Sequence, residues 1–165
     1  MMRTAYVNGE FIAEQDAKVS IFDRAFLFAD SVYEVTSVLN GKLVDFDSHI
    51  KRLKESMKKL DFGPKIDEEK FLSFHRKLVE LNEVKEGIVY LQVSRGIAER
   101  DFAFPDSKTA LTITAFTQKK NLIDNPSVRN GISIITIDDL RWKRCDIKTI
   151  QLLYPSMAKT EAMKQ

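Results

Sequence analysis

Lys148 is the residue with the most chemistry within reach. It lies near the end of the run Arg141-Trp142-Lys143-Arg144-Cys145-Asp146-Ile147-Lys148-Thr149, the densest polar cluster in the chain. If this segment is extended, alternation sets Arg144, Asp146 and Lys148 on one side and Cys145, Ile147 and Thr149 on the other. A partly desolvated lysine beside other cations gives up its proton more readily, and a neutral amine is what attack on a carbonyl requires. On spacing alone a solvated basic segment is the favoured reading, because charge runs are usually surface.

A second cluster runs from Asp23-Arg24 through Phe26, Phe28 and Asp30 to Tyr33-Glu34-Val35. Aromatic side chains interleaved with carboxylates ahead of a strand could line a ligand pocket, with Tyr33 supplying a hydroxyl. Packing of a strand entry into the core is the alternative, and composition prefers it. Arg100 sits in the turn-rich stretch Gly96 to Pro105, where a guanidinium is suited to gripping a carboxylate through two N–H groups. An exposed loop arginine with no such task is the commoner outcome. Arg52 lies one position before Leu53 on a helical stripe, and periodicity does not separate it from a surface residue. His75 reads as a core-edge residue. With His49, His75 and Cys145 as the only histidines and cysteine, no zinc site of nitrogen and sulfur ligands can be assembled. Phosphate-loop, dinucleotide-fingerprint, zinc-protease and serine-hydrolase motifs are all missing from the sequence.

The elements that must position these residues are marked by glycine. Three of the six glycines follow asparagine, at Asn8-Gly9, Asn40-Gly41 and Asn130-Gly131. Asn-Gly accepts positive φ at both central positions of a type I′ turn, so the first two pairs predict hairpins: Thr4 to Val7 with Glu10 to Ile12, and Val32 to Leu39 with Lys42 to Phe46. The third precedes Ile132 to Ile137, a β-prone run that predicts a strand. In Ser48 to Leu60, Ile50, Leu53, Met57 and Leu60 recur at helical spacing. Gly63-Pro64 ends that helix. Asp67 then caps a second one, with Phe71, Leu72, His75, Leu78 and Val79 facing inward. Ile88 to Ser94 and Ala110 to Phe116 predict neighbouring strands, and a helix is expected to start at Pro155. The polar stretch from Gln118 to Asn121 is the linker candidate, so a boundary is expected near residue 120.

The chain has 165 residues, with 44% hydrophobic and 30% charged, which is the make-up of a folded globular protein. A net charge of +2 offers no electrostatic case for nucleic acid or an acidic membrane surface. No apolar run approaches the roughly 18 residues of a membrane span. A single cysteine, Cys145, makes a reducing, cytoplasmic setting the expectation.

Taken together, these segments resemble the class IV pyridoxal-phosphate aminotransferases, and within them the D-amino-acid branch. The resemblance is carried by Tyr6-Val7-Asn8-Gly9, Asp23-Arg24 through Val32-Tyr33-Glu34-Val35, Asn40-Gly41, His49-Ile50 with Arg52-Leu53, Gln92 to Gly96, Arg100 to Pro105, and Arg141-Trp142 through Lys148. They occur in family order and cover the chain from end to end. The resemblance implies an α+β fold: a small domain over residues 1–120, built from an antiparallel β-sheet with two helices, and over 121–165 a linker with the beginning of the cofactor domain. It implies that Lys148 forms the Schiff base with pyridoxal phosphate and moves the proton at the substrate α-carbon. Arg52 matches the arginine that contacts the cofactor phosphate, and Tyr33 and Arg100 match members of the trap for the substrate carboxylate. In the family that arginine crosses a dimer interface, so a homodimer is implied, and no metal is. Where relatives carry a histidine two residues after the arginine, this chain has Phe102. The resemblance also implies that family chains continue beyond Gln165, with further cofactor contacts there. The activity expected is amino transfer between a D-amino acid and a 2-oxo acid, impaired in so short a chain. Branched-chain aminotransferase, aminodeoxychorismate lyase and a non-catalytic interaction fragment are the alternatives.

Overall fold

The first two Asn-Gly pairs adopt the left-handed backbone expected of them, with φ of 48° and 109° at Asn8-Gly9 and 50° and 73° at Asn40-Gly41. The first joins β1 (Thr4–Val7) to β2 (Glu10–Ala13), and the second joins β3 (Ser31–Leu39) to β4 (Lys42–Leu43). The computed structural model describes residues 2–164. With β5 (Glu86–Ser94) and β6 (Thr112–Lys119), these strands form one six-stranded antiparallel sheet in the order β2-β1-β6-β5-β3-β4. β3 and β5 pair along their whole length, so Tyr33 lies opposite Gln92 and Glu34 opposite Leu91. β4 is shorter than the run to Phe46 suggested and pairs only with Val38 and Leu39. It therefore leaves the first half of the β3 edge uncovered.

Strand alternation gives the sheet two unlike faces. On β3, Val32, Glu34, Thr36 and Val38 are buried, whereas Tyr33, Val35 and Ser37 are half-buried. The buried face is covered by α2 (Phe46–Lys59) and α3 (Glu68–Leu81). α2 buries Phe46, Ile50, Leu53 and Met57, whereas Leu60, the last residue of the stripe read from its spacing, caps the helix and is half-buried. α3 starts where expected: the Asp67 carboxylate accepts from the Lys70 N–H at 3.1 Å and supplies one of the partners a helix start lacks. Its inward face includes Phe74, whose ring stacks on Tyr6 at 4.1 Å, while Leu72 is only half-buried. His75 is fully inside and not at the core edge: its Nδ1–H donates to the Phe71 carbonyl at 2.7 Å, and Nε2 is buried without a partner.

Three expectations need correction. Ile132 to Ile137 forms no strand; it is irregular and mostly exposed, and no described strand pairs with it. Its neighbour upstream is a single turn, α4 (Pro126–Asn130). The second half of the chain does end in a helix, α5 (Leu153–Ala162), but it starts two residues before Pro155, which still lies in the first turn where a missing N–H costs little. Gln118 and Lys119 belong to β6 rather than to a linker. After the strand, Glu86 receives the N–H groups of Leu122 and Ile123 and fixes where the chain leaves the sheet.

Candidate active site

The uncovered edge of β3 is where Lys148 arrives. Tyr33 N–H donates to the Lys148 carbonyl at 3.1 Å, Ile150 N–H donates to Ser31 at 3.3 Å, and Thr149 forms an antiparallel bridge with Val32. The segment thus adds a very short strand to the sheet. Ile147 and Thr149 point inward and are buried, and Lys148 lies half-buried between them. The alternation expected of the cluster holds for these three residues and fails upstream. Cys145 and Asp146 are in a turn, closed by Ile147 N–H on the Arg144 carbonyl at 3.1 Å, and Cys145 is exposed. Lys59, at the end of α2, ties that turn down through an ion pair with Asp146 at 2.9 Å.

Docked in this way, the Lys148 amine sits 3.8 Å from the centroid of the Tyr33 ring, a cation–π contact across two segments far apart in the chain. Both residues line a pocket of about 310 Å³, together with Arg52, Trp142, Thr149 and Leu152. That volume is at the small end of the range for low-molecular-weight ligands. Arg52 reaches the pocket from α2. Its Nε and Nη2 donate to the two oxygens of Glu34 at 2.7 and 2.5 Å, so the planar group is held by one edge and Nη1 has no protein partner among the described residues. The Glu34 hydrogen bond raises the guanidinium pKa above its ordinary value, and burial only partly opposes this.

Glu34 and His49 lie in the clusters read from the sequence, but neither was assigned a role there. Glu34 is almost completely buried, and besides Arg52 it takes the Nδ1–H of His49 at 2.8 Å. Two signals were available: a carboxylate at an inward position of an alternating strand, and His49 and Arg52 three apart on one helix face. Tyr90 continues the aromatic row on the open sheet face, 5.6 Å from Tyr33 and 5.0 Å from Phe116. Burial, aided by Tyr33, pushes its hydroxyl up to about 12, so it stays protonated and donates to Gln92 at 2.9 Å.

Arg100 is not brought to this pocket. It is exposed on the loop between β5 and β6, with its guanidinium 5.5 Å from the Phe28 ring and 5.4 Å from Phe102. Phe28 belongs to α1 (Arg24–Phe28), a short helix that Asp23 caps through the Ala25 N–H. Of the four sequence-derived candidates, the structure joins Lys148, Tyr33 and Arg52 and leaves Arg100 apart. What the three can do together is plain from their chemistry: an amine able to add to a carbonyl, a cation with an N–H that has no partner among the described residues and can meet an anionic group, and a tyrosine lining the same pocket.

The chain is similar to known proteins. D-alanine aminotransferase of Staphylococcus aureus (strain MSSA476) is 37% identical over 165 residues, covering 99% of this chain and 57% of the relative. D-alanine aminotransferase of Bacillus licheniformis is 38% identical over 159 residues, covering 95% of this chain and 55% of the relative. The chain therefore spans a little over half the length of the curated relatives it matches. Among solved structures, a putative 4-amino-4-deoxychorismate lyase of Legionella pneumophila superposes with a TM-score of 0.77 at 20% identity, over 92% of this chain and 55% of that one. A branched-chain amino acid aminotransferase of Escherichia coli gives 0.68 at 16% identity, over 77% and 43%. These two likenesses establish the fold, which is the α+β arrangement expected from the sequence. The family description "Amino-transferase class IV" matches residues 31–165, the span from Tyr33's strand through Lys148 to α5. On that match the chain belongs to the class IV aminotransferases.

Proposed function

We propose that this chain carries the lysine-bearing half of a transaminase site that moves an amino group between a D-amino acid and a 2-oxo acid. The observation that carries the reading is the docking of residues 147–150 on the free edge of β3, which puts the Lys148 amine over Tyr33 in a pocket that Arg52 also lines. Pyridoxal phosphate is the cofactor of the class IV aminotransferases, and the donor set fits it: an amine for its aldehyde and, at Arg52, an N–H without a protein partner for its phosphate. When bound, the cofactor supplies the carbonyl that takes up the amino group and the ring that delocalises charge from the substrate α-carbon. Lys148 Nζ holds the cofactor and carries the proton at the α-carbon. Arg52, oriented by Glu34, anchors the phosphate end, and Tyr33 faces the substrate carboxylate.

The D-amino-acid assignment rests on the 37% identity to D-alanine aminotransferases, since the likeness to branched-chain and lyase structures concerns the fold alone. In this reading Arg100 serves the pocket of a second copy, which is why its own pocket lacks it. Residues 1–120 act as the small domain and 121–165 as linker and beginning of the cofactor domain. Because the chain spans a little over half of those relatives, we expect low turnover from the 165 residues by themselves.

The test is to incubate the full chain with pyridoxal phosphate, reduce with borohydride, and map the labelled peptide by mass spectrometry. Stoichiometric label at Lys148 supports the reading. Label scattered over several lysines counts against it and favours a non-catalytic interaction module. Assay with D-alanine against L-leucine then separates the D-amino-acid from the branched-chain assignment.

A further inference from the structure

We propose that Asp30, Arg24 and Arg95, with Phe104, form a clamp that positions Arg100; this deepens the reading of Arg100 as the carboxylate-binding arginine and rests on it. One oxygen of Asp30 accepts from Arg24 Nε and from Arg95 Nε, each at 2.7 Å. All three side chains are less than a tenth exposed, at 7%, 3% and 7%. Two buried guanidinium groups on one carboxylate are costly unless their other N–H groups and faces are also engaged. They are, and two of those engagements are with the loop that carries Arg100.

Arg24 Nη1 donates to the carbonyl of Asp101, the residue next to Arg100, at 2.8 Å. Arg95 lies between two rings, its Cζ 3.8 Å from the Phe104 centroid and 4.4 Å from Phe62. Its Nη1 and Nη2 donate to the carbonyls of Asp61 and Leu60 at 3.0 and 2.6 Å, which anchors it to the end of α2. The loop base is closed as well. Gly96 adopts φ +99°, and a Cβ there would lie 1.9 Å from the Ala110 carbonyl oxygen, so the two ends meet at a distance that only glycine allows. Arg100 itself has no ion pair or hydrogen bond among the described residues; it is held only through its neighbours and the faces of Phe28 and Phe102. An unrestrained loop of this length would lose much conformational freedom on gripping a carboxylate, and the clamp removes that loss in advance. Asp30, Arg24, Arg95 and Phe104 are thus positioning residues, acting through the backbone of Asp101 and the ring of Phe104.

Asp30→Asn is the direct variant, but it strands two buried cations and can fail to fold. Phe104→Leu keeps an apolar side chain and removes the π face, and Phe104→Tyr restores that face. Hydrogen exchange of the full chain, followed by mass spectrometry, is expected to show residues 97–104 exchanging about tenfold faster in Phe104→Leu, with β5 and β6 unchanged and Phe104→Tyr at the parent rate. Parent-rate exchange in Phe104→Leu, or loss of protection in Phe104→Tyr equal to that in Phe104→Leu, overturns the clamp. On the pyridoxal-phosphate-loaded full chain, KM for a 2-oxo acid is expected to rise about fivefold in Phe104→Leu with kcat little changed, in the same direction as in Arg100→Ala. A raised KM in Arg100→Ala alone overturns the positioning role. If neither variant moves KM, the carboxylate reading of Arg100 falls, while the exchange result still decides whether the clamp holds the loop.

Discussion

Glu34 is the carboxylate on which the direction of Arg52 depends. Both of its oxygens are occupied by Nε and Nη2 of the arginine, and this edge-on grip is what leaves Nη1 pointing elsewhere. Glu34→Gln keeps the size and removes the charge and half of the acceptor capacity, so Arg52 loses its bidentate hold. Affinity for pyridoxal phosphate is expected to fall about tenfold, comparable to one lost charge-assisted hydrogen bond. Trp142, the only tryptophan, lines the pocket and can report the titration by fluorescence. Unchanged affinity would show that Arg52 needs no such support.

His75 makes a second prediction at this scale. Burial lowers its pKa from 6.5 to about 4, with the Phe71 carbonyl opposing and His49 adding slightly to the effect. The folded state therefore holds a neutral imidazole where the unfolded chain takes up a proton. Its contribution is full above pH 6.5, declines as pH falls from there towards 4, and levels off below, a total loss of about 3 kcal/mol. Urea unfolding at pH 7, 5.5 and 4 measures it, and in His75→Gln this part of the slope should vanish.

Among the elements, α3 is the one whose start rests on a single side chain. Asp67→Ala removes the acceptor for Lys70 N–H and should cost about 1 kcal/mol, read as a lower urea midpoint with an unchanged m value. That cap was legible because it is local: an aspartate, two glutamates and an apolar stripe lie within a few residues of one another. The hairpins were legible for the same reason, since Asn-Gly states its own backbone geometry. Ile132 to Ile137 was misread because β-branched composition only permits a strand, and pairing needs an edge from elsewhere. The site was legible through resemblance more than through spacing. Nothing near Lys148 in sequence indicates Tyr33, whose contact depends on which part of β3 the short strand β4 leaves open. Phe74 escaped for a different reason: it lies one step outside the narrow stripe counted, where Tyr6 from another strand buries it.

For the whole molecule, the separation of Arg100 from the Lys148 pocket is the feature with the largest consequence. Around Arg100, Phe22 precedes α1 and Phe26 lies within it while Ile97 and Phe102 lie on the loop, and all four are at least half exposed at 50%, 70%, 56% and 79%. The bridge between Asp23 and Ile97 and the hydrogen bond from Ala98 to Phe22 place them on one side of the molecule. Exposed apolar side chains beside an arginine with no ion pair among the described residues suit an isologous contact between copies. Light scattering on the eluting protein should give twice the 19.0 kDa of the chain, and Phe26→Asp should shift it towards the single-chain mass. Retention of the larger mass in that variant would move the contact elsewhere.

The edge of β3 that receives residues 147–150 has a further meaning for how the protein fails. An unpaired strand edge is a template for another chain, and here the lysine-bearing segment is what covers it. Detachment of that segment would dismantle the pocket and open a self-association surface in the same event. Heating should then bring the shift in Trp142 emission and the first rise in turbidity at one temperature, and a ligand that keeps Lys148 seated should delay both, protecting solubility as a by-product of binding.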